Sequence, residues 1–348
     1  MPSHKTLVFL EKLSGHYWEY THHSYQCALK NPHRRFVFVL RETERTLLDE
    51  NNFPPAANIE IKCFPKRAGN ERTGIAAAWL HTRELARWIK SERPGRVVLF
   101  MPISFMPFLA FMPVRCPQIN GVIYNIYLYR WKNSGLLTRA QDTLKYLLFS
   151  RAKRFARLFI LNDRGAAAKL NRIYKTKKFR WIADPFAGVD CAQPKTLCSE
   201  LGVQPGQKVF LHFGAMTQRK GTLDILDAIL ISAKTSLKDM HFIFAGKILN
   251  DIREAFYKKV AAARTLTNIH VYDQRVPFSQ LASLLQTCHC IVIPYKNVHQ
   301  SSGALAYAAQ YKKPLIAPAD GLLGKLIRRN HLGLTLPVCD AEALRTAF

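Results

Sequence analysis

Short apolar runs alternate along this chain with longer stretches in which apolar residues recur every three or four positions, and the alternation occurs twice. A run that is apolar throughout reads as a strand buried on both faces; the longer recurrence reads as a helix with one buried side. In the first half, strands are predicted at Thr6–Leu10, Phe36–Leu40, Ile59–Phe64, Val97–Met101, Gly121–Tyr124 and Arg157–Leu161, with helices near Tyr20–Asn31, Gly74–Glu92, Leu137–Lys153 and Arg164–Tyr174. In the second half the strands are Val209–Phe213, His241–Ala245, Ile269–Tyr272, Cys290–Pro294 and Leu315–Ala317, with helices near Thr222–Ser236, Asn250–Arg264, Phe278–Gln286 and Gly303–Gln310. Strand and helix in alternation, joined by short connections, require parallel sheets covered by helices on both faces. Two such runs in 348 residues predict two doubly wound α/β domains. The first closes at Asp184-Pro185-Phe186-Ala187-Gly188, and a polar stretch with Gly202, Pro205 and Gly206 follows. The expected division is a domain over 1–186, a linker over 187–206 and a domain over 207–348.

Charge narrows the partners. The formal net charge is +27, and residues 1–186 hold 32 Lys/Arg against 13 Asp/Glu. Residues 130–180 alone carry 15 basic and 2 acidic side chains. Such a surface seeks anionic lipid headgroups, nucleic acid or phosphorylated substrates. No recognition helix, zinc module or aromatic RNA motif accompanies it, so a nucleic-acid partner is not expected. The eight cysteines form no CxxC pair and no Cys/His cluster with zinc spacing, so no metal is expected. Cys288, His289 and Cys290 lie in an apolar strand and read as core. The N-terminal apolar stretch is too short for a signal peptide, and the reading is a reduced, cytoplasmic protein. The helical pattern continues up to Phe348, so further helix is expected beyond it.

Two segments each carry two readings. Val97–Val114 is uncharged, but Pro102, Pro107 and Pro113 forbid a regular spanning helix. It is either a buried strand with an apolar loop, or a loop dipping into a membrane face with Phe105, Phe108, Leu109 and Phe111 as wedges. In residues 136–157, Leu137, Ala140, Leu144, Leu147/Leu148 and Phe155 recur at helical spacing beside Arg151, Lys153, Arg154 and Arg157. That helix either turns its apolar side to the core or lies on an anionic membrane.

Open α/β sheets bind ligands beyond the carboxyl ends of their strands. The loop Gly214-Ala-Met-Thr-Gln-Arg219-Lys220-Gly221 follows a predicted strand and precedes a helix. Glycine permits a tight turn there, and Arg219 and Lys220 bring positive charge suited to a pyrophosphate. A second loop runs from Pro294 to Ser301-Ser302-Gly303, where a small-residue helix begins. A helix start presents free N–H groups and a favourable dipole to a phosphate; read plainly, it is a Ser cap on a core helix. A third loop, Tyr272 to Ser279 with Arg275 and Val276, could receive a nucleotide base on its backbone.

The order of the glycine- and Lys220-Gly221-bearing loop, Phe242-Ile243-Phe244-Ala245-Gly246, Asn268 to Tyr272, Ile291 to Pro294, Ser302-Gly303 and Lys313-Pro314-Leu315-Ile316-Ala317 resembles the group 1 glycosyltransferases of GT-B fold. The resemblance covers about residues 207–337 by motif order, and the first half by architecture, including Gly15 in the loop after the first strand. It implies two Rossmann-like domains facing a central cleft, a UDP- or GDP-linked sugar as donor, and transfer that retains configuration without a metal or other cofactor. The surface-polysaccharide type implies a glycan or lipid-linked acceptor and peripheral attachment to an anionic membrane. By the same resemblance, Lys220 neutralises donor phosphates, with Arg219 reaching the same groups beside Gly214. Ser301, Ser302 and Gly303 hold the distal phosphate, Arg275 and Val276 meet the base, and Gly15 lies on the acceptor side. The family's two donor-binding Glu positions read His299 and Tyr307 here. His16 is the candidate catalytic group touching sugar or acceptor; Glu11 and Asp320 are further strand-end candidates. A non-catalytic subunit of a glycan-assembly complex and a GT-B epimerase remain alternatives.

Overall fold

The computed structural model describes residues 5–11, 13, 16–49, 53–65, 74–114, 118–124, 126–131, 134–185, 194–232, 237–296, 298 and 302–348. The chain divides into two compact units, Met1–Ala187 and Gly188–Phe348. Helix Pro194–Glu200 falls inside the stretch expected as a linker and belongs to the second unit.

The first unit holds β1 (Lys5–Phe9), β2 (Arg35–Arg41), β3 (Ile59–Phe64), β4 (Arg96–Leu99), β5 (Ile119–Ile123), β6 (Phe155–Leu161) and β7 (Phe179–Ile182). They form one sheet in the order β3-β2-β1-β4-β5-β6-β7, with every pairing parallel. The second unit holds β8 (Lys208–Phe213), β9 (Met240–Ala245), β10 (Asn268–Tyr272), β11 (Cys290–Val292), β12 (Leu315–Pro318) and β13 (Gly333–Leu336). Its order is β10-β9-β8-β11-β12-β13, again all parallel. Central strands β1, β8 and β9 are buried along almost their whole length, as layers of helix on both faces demand. Crossover helices repeat the recurrence in the sequence: in Thr222–Ile231 the buried residues are Thr222, Ile225, Leu226, Ala228 and Ile229.

Each sheet reverses direction once, between β1 and β4 and between β8 and β11. Such a switch point splays the two adjoining loops apart and leaves a crevice at the carboxyl edge. No helix among the described residues is long and apolar enough to cross a membrane.

Both ambiguous segments resolve. After β4 the chain makes a short helical turn, Pro102–Phe105, and a helix, Phe108–Phe111. Phe105 and Leu109 are core, so the full set of wedges does not exist; Phe111 alone of the four is exposed. Helix Leu136–Arg151 corrects the core-facing reading of its leucines. It buries Asp142, Tyr146, Phe149 and Ser150, and it turns Leu136, Leu137, Leu144 and Leu147 outward. Phe155 belongs to β6 and is buried there.

Candidate functional site

The second unit's switch point is built from the loops that follow β8 and β11. At the end of β8, Gly214 has φ +93°, a conformation that an L side chain rarely adopts. Lys220 folds back over this glycine, and its Nζ would lie 2.6 Å from a Cβ placed there. The ammonium donates to the Phe213 carbonyl at 3.4 Å. It also lies 5.2 Å from the centre of the Tyr295 ring, just beyond β11, so the charge spans the crevice between the two central strands. The turn that carries it, Gln218–Lys220, is capped by Thr217, whose hydroxyl accepts from the Lys220 N–H at 3.3 Å. Gly221 closes the turn with φ +67°, and a Cβ there would stand 2.1 Å from the Pro294 carbonyl oxygen. The two loops are also tied by the Lys296 N–H, which donates to the Arg219 carbonyl at 2.9 Å. Arg219 itself is exposed.

Helix Gly303–Gln310 completes this edge. Its cap, Ser302, accepts from the Ala304 N–H at 3.3 Å, and the Leu305 N–H donates to the Ser302 carbonyl at 3.0 Å. The Ser302 hydroxyl keeps its own proton to donate, and the Gly303 N–H completes the helix start, a pattern suited to an anionic oxygen. Tyr307, one turn further on, is buried and packs edge-on against Phe213, with ring centres 5.9 Å apart. Phe213 thus meets Lys220 through its carbonyl and the helix through its ring. His299 and Ser301 lie outside the described residues, as does Gly15.

A buried polar pin, absent from the sequence reading, lies beneath the lysine. His212 on β8 is 2% exposed, and burial pushes its pKa down to about 4, with Lys220 adding to the effect. The ring is therefore neutral. Nδ1 sits 2.8 Å from the Val292 carbonyl, which can only accept, so Nδ1 carries the proton. Nε2 then accepts from the hydroxyl of buried Thr222 at 3.0 Å. This pin joins β8, β11 and the helix behind Lys220. A polar residue inside an apolar strand was the only signal available for it.

At the third loop, Arg275 is exposed and Val276 half-buried. Asp273 fixes its base, accepting from the Ile248 N–H at 2.9 Å, the Tyr257 hydroxyl at 2.9 Å and Arg253 at 2.7 Å. Burial raises its pKa, but these three donors outweigh burial and hold the carboxyl below its usual range.

In the first unit, His16 begins helix His16–Leu29, directly after β1 and its loop. Glu11 accepts from the Ser104 hydroxyl at 2.7 Å, and His81 Nδ1 stands 3.6 Å away. Beside them a cavity of about 90 Å³ is lined by Phe9, Glu11, Arg41, Phe64 and His81. Burial lowers the His81 pKa, and Arg41 reinforces this. Asp184, just past β7, has its pKa raised to about 7 by burial and by Glu19. Asp320 precedes helix Gly321–Arg329 without capping it through its side chain.

The sequence of this second unit, carrying two phosphate-suited loops on one switch point, can be set beside known families. Residues 207–348 match the family model for glycosyl transferases, group 1. No curated protein matches the chain. Among solved structures, HepE from Anabaena in complex with UDP and glucose is similar with TM-score 0.69 and 13% identity, covering 99% of this chain and 88% of its own. WaaG, a glycosyltransferase involved in lipopolysaccharide biosynthesis, has TM-score 0.68 and 16% identity over 98% of this chain and 90% of its own. A sucrose-phosphate synthase from Thermosynechococcus elongatus has TM-score 0.68 and 12% identity over 99% and 88%. The fold is GT-B, two Rossmann-like units in one chain, and the group 1 match falls on the unit whose switch point holds Lys220.

Proposed function

We propose that this chain is a nucleotide-sugar-dependent glycosyltransferase. Its UDP- or GDP-linked donor lies with the diphosphate between Lys220 and the start of helix Gly303–Gln310. The observation that carries this reading is the Lys220 ammonium, held over Gly214 and against Tyr295, at the meeting of the two central strands. When the glycosidic bond breaks, negative charge builds on the departing diphosphate. Lys220, Arg219, the Ser302 hydroxyl and the Gly303 N–H supply preorganised countercharge, so the chain's own groups suffice without a metal. The family resemblance assigns Arg275 and Val276 to the base, and Ser301 and His299 to the distal phosphate and sugar. The acceptor, a glycan or lipid-linked sugar of a surface polysaccharide, belongs to the first unit, where the family resemblance assigns it Gly15 and where His16 and Glu11 are its candidate partners. Transfer with retained configuration is part of the proposal.

The HepE structure holds UDP and glucose, and this supports trying uridine ligands first. The test is a thermal-shift screen over UDP, GDP and their sugars. We expect a rise in melting temperature for one nucleotide. Lys220→Ala should cost about tenfold to a hundredfold in affinity, as loss of a charge-assisted contact implies. A panel in which no nucleotide stabilises the protein sinks the reading. A second reading, a non-catalytic subunit of a glycan-assembly complex, draws on Tyr307. Its ring is packed on Phe213, where the family resemblance expects a donor-binding carboxylate. Donor binding without turnover in the presence of lipid-linked glycans would favour it.

A further inference from the structure

We propose that a small cavity in the first unit, built around Arg41, binds the carboxylate or phosphate of an acidic sugar, and that this sugar is the acceptor. That the sugar is the acceptor rests on the glycosyltransferase reading; that its bound group is an anion rests on the cavity alone.

The cavity, of about 90 Å³, lies at the carboxyl ends of β1, β2 and β3, against helix Gly74–Glu92. Arg41 is the last residue of β2 and Phe64 the last of β3, while Glu11 stands two residues past β1. Phe9 and Phe64 stack with ring centres 5.5 Å apart and form an apolar wall. Arg41 is half-buried beside it, with no ion pair among the described residues, and its Nε is buried with no hydrogen-bond partner among them. His81 Nδ1 is also buried and unbonded; the Glu11 carboxylate stands 3.6 Å away, beyond hydrogen-bond range. A guanidinium shielded from water without a counterion is costly, and so is each buried donor without an acceptor. The acids around the cavity are already engaged: Arg87 holds Glu84 at 3.0 Å, and Glu11 accepts from the Ser104 hydroxyl at 2.7 Å and 3.0 Å. Arg83 adds an exposed cation to the lining.

Three occupants compete for the space. Water fits the volume, at about 30 Å³ per molecule, but brings no countercharge. A neutral sugar hydroxyl satisfies one donor and carries a proton that itself needs an acceptor. A carboxylate or phosphate accepts from the fork of Arg41 and from His81, and it supplies the missing charge. The apolar wall sharpens this preference, since charges attract more strongly away from water. Glu11 orients the rest of the ligand. It borders the cavity and is tied by Ser104 to the segment after β4, so the cavity lies beside the first unit's switch point. Its own charge repels a second anion, which keeps the acidic group on the Arg41 side and leaves the sugar's hydroxyls to meet Glu11.

The test is the thermal shift of the full chain with glucuronate, glucose 6-phosphate and neutral glucose at matched ionic strength. At least one acid should raise the melting temperature and glucose should not; which acid does so separates a carboxylate from a phosphate source. The shift should persist in Lys220→Ala, which weakens the phosphate loops of the second unit. Arg41→Gln should lower affinity for the acid by about tenfold to a hundredfold. Arg41→Lys keeps the charge but removes the fork, and it should lose about fivefold; it decides the matter if the glutamine variant melts early without ligand. Nucleotide shifts should be unchanged in both Arg41 variants, so the two sites can fail separately. Acid binding without any nucleotide binding would keep the anion site and overturn its assignment to an acceptor. Glucose as effective as the acids, wild-type affinity in a folded Arg41 variant, a shift lost in Lys220→Ala, or no shift with either acid would each overturn the proposal.

Discussion

Gly214 and Gly221 look alike in sequence and do different work. A methyl at Gly221 meets the backbone carbonyl of Pro294, which cannot move without parting the two loops. Gly221→Ala should destabilise the protein by about 2 kcal/mol or more, measured by denaturant unfolding. A methyl at Gly214 meets only the tip of Lys220, which can swing away. Gly214→Ala should therefore cost about 1 kcal/mol of stability for its backbone conformation. Its main effect should appear in nucleotide affinity, read by titration calorimetry, because the lysine is displaced from the crevice. If Gly214→Ala binds nucleotide as well as the wild type, Lys220 does not hold the donor from this position.

Secondary-structure elements differ in how plainly the sequence announces them. Most central strands are legible because burial on both faces leaves a mainly apolar run, but Asn120 breaks β5, so the sequence reads that strand only from Gly121 on, and Arg157 interrupts β6. The strands missed, β7 and β13, are the last in their sheets. An edge strand is half-solvated, and the exposed Arg180 and Trp181 of β7 or Gly333 and Leu334 of β13 break the run. Helix Leu136–Arg151 was legible as a helix but not in its facing, since leucines ordinarily mark the core and here Tyr146 and Phe149 do so. The phosphate loops could be found from Gly, Lys and Ser at strand ends, but Tyr295 could not, because its meeting with Lys220 depends on strand order. The His212 pin makes a prediction at this scale. Its folded pKa of about 4 lies below that of an unfolded histidine, so the unfolded chain takes up the proton first as pH falls. Stability should drop by about 2 kcal/mol between pH 7 and pH 5 from this residue. His212→Gln should flatten that slope in a melting series.

Across the whole molecule, Asp184 in the first unit and His212 in the second should answer pH in opposite senses. Asp184, with a folded pKa near 7, holds its proton in the first unit over a range in which the unfolded chain has lost it. Its contribution is fully present below the unfolded value and fades as pH rises toward 7. Hydrogen exchange on the full chain should show the first unit better protected at pH 5 than at pH 7.5 relative to Asp184→Asn, with the second unit following His212 the other way. Division of labour gives another expectation. Glu11→Gln should leave the nucleotide-induced thermal shift unchanged and lower turnover by about tenfold or more. A lost shift in that variant would place Glu11 outside an acceptor role. The strand order carries a last consequence, for synthesis. β1 ends up in the centre of its sheet, between β2 and β4. As the chain leaves the ribosome, β2 and β3 join one side early, but β1's other edge stays bare until residue 96 arrives. β8 repeats the situation until residue 290. A nascent chain with a naked apolar edge is open to misjoining, so yield should depend on chaperone supply and translation speed more than the finished protein's stability suggests.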